Sequence, residues 1–244
     1  MLDTFGDDLN IAVFGATGGI GGAFVAALAA QENVRYVHAC ARDFSDDRDK
    51  VTGVSFDLTD EDSIEAAAER LEESGPLHIV LVATGTLHGQ EFGPEKRWRD
   101  LDAHTLEHLF RVNTIGPALI AKHTLGRLAR DRKTVFAALS ARVGSIEDNE
   151  LGGWHGYRAS KAALNMMLRT CSVELAHRNP DAVCIALHPG TVDTGLSKPF
   201  QRSVPEGNLF SPEYAATRLL DVIDGLGSDD TGGFFAWDGK RIPY

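Results

Sequence analysis

A glycine-rich turn directly after a short apolar run constrains the fold of this chain more than any other segment. The run IAVFG at 11–15 leads into GATGGIGGAF at 15–24, where Gly15, Gly19 and Gly21 follow a G-x-x-x-G-x-G spacing. Such a turn between a strand and a helix lets backbone N–H groups approach a diphosphate at the positive helix end. A small-residue packing turn is the alternative, but the position between first strand and first helix favours phosphate binding.

Short apolar runs alternate with helical patterns along the whole chain. The predicted strands cover 11–15, 34–41, 54–57, 78–84, 134–140, 183–190 and 232–238. Helical periodicity fills the gaps after Phe24, over 63–73, over 102–130, from Tyr157 onward, and from Pro212 behind an N-capping Ser211. This alternation predicts an α/β fold, a Rossmann-like doubly wound parallel sheet of about seven strands with helices on both faces.

No repeat or linker divides the chain, so we expect a single domain over 1–244. The polar stretch 191–211 has no predicted element, and it is either a lid over a site or a surface loop. A formal net charge of −11 disfavours nucleic acid or an anionic membrane as partner. Three scattered cysteines indicate reduced thiols, and the N-terminus lacks signal-peptide features, so we expect a cytoplasmic protein.

The end of the second strand bears on the choice of dinucleotide. An acidic residue at this point favours NAD, whereas an arginine favours NADP. Arg42 comes first after the strand and Asp43 follows it. Because a guanidinium can grip a 2′-phosphate, we expect NADP(H) to be favoured over NAD(H). The alternative for Arg42 is a solvated loop charge.

Motifs in a fixed order resemble the short-chain dehydrogenase/reductase family. After the glycine turn come Asp57, Gly85, Asn113, Ser140, the YRASK segment with Tyr157 and Lys161, and PGTVDT at 189–194. GATGGIGG and the block LSARVGSI…GGWHGYRASKAALN are similar to the C-factor-like branch of that family. The resemblance implies hydride transfer between a nicotinamide and a small-molecule carbonyl or alcohol, in a homodimer or homotetramer.

By this resemblance Tyr157 is the general acid or base, and Asn113 completes a proton relay. A hydride that reaches a carbonyl carbon leaves a developing alkoxide, which needs a proton. Lys161 lies one helical turn after Tyr157, where an ammonium lowers the pKa of a phenol. The residues implied for cofactor binding are Gly15, Thr17, Gly18, Gly19, Ile20, Gly21, Arg42, Asp57, Leu58, Ala83, Thr84, Gly85, Tyr157, Lys161, Pro189, Gly190, Val192 and Thr194.

Two segments depart from the family pattern. An Asn-Asn-Ala-Gly run is common after the fourth strand, but here Val82-Ala83-Thr84-Gly85 stands there. The usual slot of the carbonyl-orienting serine, three residues before Gly144, holds Ala141. We expect Ser140 to supply that hydroxyl; the alternatives are Ser145 or no serine.

Other candidates carry less weight. His104 and His108 are one helical turn apart, but they lack a third ligand, and we expect no metal site. Trp154 and His155 either line the pocket or pack a loop, and Phe200 and Phe210 either cover a substrate or anchor the core. A dinucleotide-binding signalling or regulatory protein with little turnover is the alternative function.

Overall fold

A computed structural model describes residues 1–44 and 47–244, and it shows the predicted doubly wound parallel sheet. The seven strands of this sheet are β1 (Leu9–Phe14), β2 (Val34–Ala41), β3 (Val51–Ser55), β4 (Ile79–Val82), β5 (Thr134–Leu139), β6 (Ala182–His188) and, after two short strands described below, β9 (Phe234–Ala236). Their spatial order is β3-β2-β1-β4-β5-β6-β9, and all neighbours are parallel. The predicted fold class is therefore confirmed.

Helices cover both faces of the sheet. The described residues form α1 (Gly19–Ala29), α2 (Glu61–Glu72), α3 (Ala103–Phe110), α4 (Gly116–Thr124), α5 (His155–Arg178) and α6 (Pro212–Gly225). Ile11 and Val13 of β1 face the core layer of α1 and α6, whereas Ala12 and Phe14 face the layer of α2, α4 and α5. Successive side chains of a strand point to opposite faces, so one continuous apolar strand supplies both layers.

The predicted helical region over 102–130 is interrupted. Between α3 and α4 the backbone widens into a π-helical turn at Arg111–Ile115, and a 3-10 turn follows α4 at Leu125–Arg127. Pro117 in the first turn of α4 has no N–H to give to the carbonyl four residues earlier, which is that of Asn113. The Gly116 N–H donates to the Arg111 carbonyl, five residues earlier, which is the π-helical pairing of this wider turn.

Two segments around α5 have defined local structure. Gly152, Gly153 and Trp154 take positive φ angles of 63°, 67° and 53°, and α5 begins directly after them. The segment 191–211 holds a short parallel ladder of β7 (Thr191–Val192) and β8 (Leu209–Phe210), with a 3-10 turn at Lys198–Ser203 between them. In residues 1–44 and 47–244, no helix combines the length and apolarity that a membrane crossing needs.

Candidate active site

The glycine turn makes an open backbone cradle at the carboxyl ends of β1 and β4. Gly15 has φ +87°, and a Cβ there would lie 3.1 Å from the backbone of Ala83 and Thr84. A Cβ on Gly21 would overlap the Gly15 carbonyl oxygen, so this crossing of turn and helix requires glycine. Gly18 precedes α1 and offers no side-chain cap to its first N–H groups.

The residues of this cradle fit a dinucleotide. The uncapped N–H groups of α1 suit a diphosphate. The hydroxyl of Thr84 is buried without a hydrogen-bond partner among the described residues, and the methyl group and backbone nitrogen of Thr84 lie beside Gly15. Thr194 closes the other side, since a Cβ on Gly19 would come within 2.6 Å of its methyl group. Orphaned polar groups next to a bare backbone are what a polar ligand would satisfy.

The ends of β2 and β3 place charged groups beyond the cradle. The side chains of Arg42 and Asp43 are exposed. Asp57 accepts hydrogen bonds from the backbone N–H and hydroxyl of Thr59, both at 2.8 Å, and these bonds hold its carboxyl pKa below the usual value. Asp57 thus caps its own turn. The next residue, Leu58, packs against Gly116 at the start of α4.

Tyr157 and Lys161 lie in the first two turns of α5, and both are buried. The Lys161 Nζ is 5.9 Å from the centroid of the Tyr157 ring and donates to the Leu139 carbonyl at 2.8 Å. Burial raises the pKa of Tyr157 and lowers the pKa of Lys161 to about 7. In the protein alone, desolvation of the buried Tyr157 ring therefore acts against the depression of its pKa that the sequence predicts.

Asn113 and Gly85 lie next to this pair. The Asn113 amide donates to the Thr86 carbonyl at 2.8 Å and to the Ser160 hydroxyl at 3.1 Å, and its oxygen accepts from the Thr86 N–H at 2.8 Å. A Cβ on Gly85 would lie 3.4 Å from both the Asn113 Oδ1 and the Lys161 Nζ. The structure therefore brings Gly85, Asn113 and Lys161 together, as the motif order implied.

Neither serine that was considered for the substrate carbonyl reaches the cavity beside Tyr157. The Ser140 hydroxyl donates to the Asn165 Oδ1 at 2.7 Å, because residue 140 points to the α5 face of the sheet. Ser145 accepts from the Asp148 N–H at 3.1 Å. Ala141 lines the cavity and offers only a methyl group. The expectation that Ser140 orients a carbonyl is not supported by this arrangement.

A cavity of about 650 Å³ lies between the glycine turn, the start of α5 and the segment 191–211. Its lining includes Ile20, Leu87, Ala141, Arg142, Val143, Trp154, Tyr157, His188, Pro189, Gly190, Thr191, Val192, Thr194, Leu196, Ser197, Pro199, Phe200, Arg202, Val204, Pro205 and Asn208. The ring centroids of Phe200 and Trp154 are 5.0 Å apart. The Nε2 of His88 lies 3.2 Å from the carbonyl oxygens of Gly195 and Leu196. The Phe210 ring instead packs against Trp237, with the two ring centroids 4.6 Å apart.

Two residues of this site were missed from the sequence. The buried carboxylate of Glu95 accepts from the Gly156 N–H at 3.2 and 3.3 Å, at the start of α5. His188 ends β6 and lines the cavity, and its Nδ1 is buried without a partner among the described residues. Glu95 lies in a loop with no periodicity that could have marked it. For His188, a polar residue that ends a run of apolar ones was the available signal.

The histidine pair considered for metal binding is exposed. The side chain of His104 is 95% exposed, and its Nδ1 is 4.0 Å from a Glu107 carboxylate oxygen. Within the part of the chain that the structure describes, no three His, Cys, Asp or Glu side chains cluster around a common point.

Comparison with known proteins agrees with this geometry. The sequence profile of the family described as short chain dehydrogenase matches residues 10–204. A 1-hydroxy-2-glutathionyl-2-methyl-3-butene dehydrogenase from Rhodococcus is 35% identical over 190 residues, which are 77% of this chain and 78% of the relative. C-signal from Myxococcus xanthus is 34% identical over 145 residues, 59% of this chain and 82% of the relative.

A solved structure agrees over nearly the whole chain. The NADPH-bound carbonyl reductase from chicken fatty liver has a TM-score of 0.84 and 27% identity, and the match covers 98% of this chain and 100% of that one. The family profile spans the glycine turn, Asn113, Tyr157 and Lys161. The chain therefore belongs to the short-chain dehydrogenase family, and it is an NAD(P)-dependent oxidoreductase that acts on a small molecule.

Proposed function

We propose that this enzyme reduces a carbonyl compound, or oxidises the corresponding alcohol, with Tyr157 as general acid or base. One observation carries the proposal: Ile20 of the glycine turn and Tyr157 of α5 line the same cavity. A dinucleotide on the turn and a substrate against the tyrosine would then meet in one cavity. Desolvation of that space strengthens the hydrogen bonds made to the reacting oxygen.

A nicotinamide dinucleotide held by the glycine turn would supply or accept the hydride at the substrate carbon. In the direction of reduction, the Tyr157 hydroxyl gives its proton to the carbonyl oxygen as negative charge develops there. Lys161 favours the resulting phenolate once it carries a proton itself. Asn113 lies in the wider turn of the helical region, near Lys161, where a water could link the two. Ser140 fixes Asn165, and thereby the position of α5, in place of contacting the substrate.

The same proposal assigns the cofactor contacts. The backbone and side chains that would hold the dinucleotide are Gly15, Thr17, Gly18, Gly19, Ile20, Gly21, Asp57, Leu58, Ala83, Thr84, Gly85, Tyr157, Lys161, Pro189, Gly190, Val192 and Thr194. Among them, the unpartnered Thr84 hydroxyl and the bare backbone at Gly15 support the assignment most directly.

The exposed guanidinium of Arg42 supports a preference for NADP(H). Hydrogen bonds to charged groups contribute about 1.5–3 kcal/mol, so Arg42→Ala is expected to weaken NADPH binding on the order of 10-fold or more. NADH has no 2′-phosphate, so its binding is expected to change little. Fluorescence titration of both cofactors measures this difference. A variant that binds NADPH as tightly as the wild type contradicts the assignment.

The test of the proposed reaction compares the wild type with Tyr157→Phe. NADPH consumption is followed by absorbance against a panel of aldehydes, ketones and quinones. Loss of the hydroxyl is expected to lower turnover by about 10²–10⁴-fold, the usual contribution of a general acid. NADPH binding, measured in parallel, is expected to persist. Equal turnover in both proteins would overturn the role of Tyr157.

The regulatory alternative is not favoured, since the similarity to a dehydrogenase and to a carbonyl reductase covers more of the chain than the similarity to C-signal.

We further infer a single domain with 191–211 as a substrate lid, and a homodimer or homotetramer. The lid is supported by the cavity-lining residues Leu196, Pro199 and Phe200. The oligomer is supported by apolar side chains on the outer face of α5, where Met166 is 65% exposed. Light scattering measures the mass.

The three free cysteines support a reducing compartment, the cytoplasm.

A further inference from the structure

The cavity beside Tyr157 needs a second hydrogen-bond donor. Negative charge develops on the substrate oxygen as the carbonyl is reduced, and a fixed donor aimed at that oxygen stabilises the transition state. A single donor also leaves the carbonyl free to rotate about that one hydrogen bond. At the end of β5, the wall of the cavity carries Ala141, which has no donor, and the Ser140 hydroxyl is bound to Asn165.

The other polar side chains of the cavity either bond to neighbouring groups or belong to the segment 191–211. Arg142 pairs with Asp148 at 3.0 Å. The Ser197 hydroxyl donates to the backbone carbonyls of its own turn. Arg202 and Asn208 are exposed on the segment 191–211. Thr191 and Thr194 belong to that segment too, and Thr194 packs against the glycine turn.

His188 differs from all of these. It is the last residue of β6, and the pairing of β5 with β6 continues to this point, where the Ser140 N–H donates to the Leu187 carbonyl at 2.7 Å. His188 and Ala141 therefore lie at adjoining strand ends, in the wall of one cavity. The Nδ1 of His188 is buried, and none of the described residues makes a hydrogen bond to it.

The imidazole is neutral at neutral pH. Burial and the positive charge of Arg142 lower the pKa of His188 to about 4, although Asp238 acts in the opposite direction. A neutral imidazole carries one N–H donor and one acceptor. Because Nδ1 is buried, the donor that a substrate could reach is Nε2; with the proton on Nε2, His188 can donate a hydrogen bond into the cavity without itself changing charge.

We propose that His188 donates a hydrogen bond to the substrate oxygen and orients the carbonyl, in place of the hydroxyl that Ala141 lacks. This inference rests on the proposed function. Tyr157 alone delivers the proton to the oxygen. The His188 N–H remains on its nitrogen throughout, and in the reverse direction it holds the alkoxide that forms as Tyr157 takes the proton back. The enzyme would thus use two donors of different kinds on one oxygen.

The test compares His188→Leu with His188→Gln, which retains an N–H donor, in carbonyl reduction. Loss of an oxyanion donor costs about 10²–10³-fold in kcat, so His188→Leu is expected to lose on the order of 100-fold, mainly in kcat. His188→Gln is expected to keep much more activity. Adding Ala141→Ser to His188→Leu is expected to restore part of the loss, because a hydroxyl then enters the same wall. His104→Ala, at an exposed position, is the matched control and is expected to match the wild type.

Thermal stability and NADPH binding are measured for every variant, since a merely structural role would lower these together with kcat. If His188→Leu does not fold, His188→Ala takes its place in the comparison with His188→Gln. Unchanged kcat in the folded variant without a donor overturns the role of His188. The role of His188 is also overturned if His188→Gln loses as much activity as His188→Leu and adding Ala141→Ser to His188→Leu restores none of it. Tyr157→Phe is assayed alongside, and its full activity would instead reject the proposed function itself.

Discussion

At the scale of single residues, the site is dominated by two buried groups whose charged forms are costly. Burial raises the pKa of Tyr157 and lowers the pKa of Lys161 to about 7. The protein alone therefore keeps the pair close to neutral. Negative charge from a bound dinucleotide would favour protonated Lys161, and the ammonium would in turn favour the phenolate. Cofactor binding and activation of the tyrosine are thereby coupled.

This coupling predicts proton uptake when the cofactor binds. At about pH 8 Lys161 in the free protein is mostly neutral, and an anionic dinucleotide raises its pKa, so binding is expected to take up protons. Calorimetry in two buffers that differ in ionisation enthalpy measures the number of protons. Lys161→Met is expected to remove most of the uptake. Equal binding heats in both buffers for the wild type would contradict the prediction.

Sequence order located most of the candidate site, but not the directions of its side chains. The positions of Gly15, Tyr157 and Lys161 follow from motif spacing; in the structure Gly15 lies against Ala83 and Thr84, Tyr157 lines the cavity, and the Lys161 Nζ lies near Gly85. The direction of the Ser140 hydroxyl depends on which face of β5 the residue takes and on its partner Asn165, 25 residues away. The isolation of the His188 Nδ1 is likewise a property of the packed site.

At the scale of elements, the start of α5 determines where Tyr157 lies. Trp154, in the left-handed region, precedes the helix and has no side-chain cap to offer. Glu95 supplies the missing acceptor from another loop, and the Trp154 N–H also donates to its backbone carbonyl, at 2.6 Å. A negative charge at a helix N-terminus is favourable, so Glu95 both satisfies and stabilises this end.

Glu95→Ala is therefore expected to weaken the start of α5 and to lower turnover. Loss of a helix cap costs about 0.5–2 kcal/mol of stability, measured by denaturant unfolding. Asp102→Ala is the matched control, because Asp102 caps α3 through the Thr105 N–H at 2.8 Å. The control is expected to lose similar stability with little loss of kcat. Equal effects of both substitutions on kcat would show that Glu95 has no particular bearing on Tyr157.

The elements also show where periodicity stops being informative. The apolar pattern over 102–130 predicted one helical region and could not reveal the π-helical turn at Arg111–Ile115, where a single hydrogen bond reaches back five residues instead of four. The segment 191–211 carries no periodic pattern, because its ladder of β7 and β8 has two residues in each strand. Short elements of this kind depend on tertiary contacts.

At the scale of the whole molecule, the two-layer core was the most predictable feature, since seven apolar runs alternate with helices. A polar network lies at the opposite end of β1 from the cradle. His38 donates from Nε2 to the Asn10 Oδ1 at 2.9 Å, and the Asn10 N–H donates to the His78 Nδ1 at 2.9 Å. Burial, assisted by Arg70, lowers the pKa of His38 to about 4, and burial also lowers the pKa of His78.

These histidines predict acid sensitivity in a defined window. The unfolded chain binds protons at His38 near pH 6.5, whereas the folded protein does so only near pH 4, so stability falls as the pH drops between these values. Denaturant unfolding at several pH values measures this slope. His38→Gln is expected to flatten it, and His177→Gln, at an exposed position, is the control. A slope unchanged by His38→Gln would contradict this assignment.

The strand order also governs when the molecule can be completed during synthesis. Each parallel pairing joins distant parts of the chain, as in the contact of Asn10 with His78 across 68 residues, so folding is expected in milliseconds to seconds and not microseconds. Of the seven strands of this sheet, β9 leaves the ribosome last, and among residues 1–44 and 47–244 it is the strand that pairs with the outer edge of β6. Until Phe234–Ala236 emerges, the strand that bears His188 exposes a row of unpaired backbone groups, and a nascent chain is open there to pairing with its neighbours.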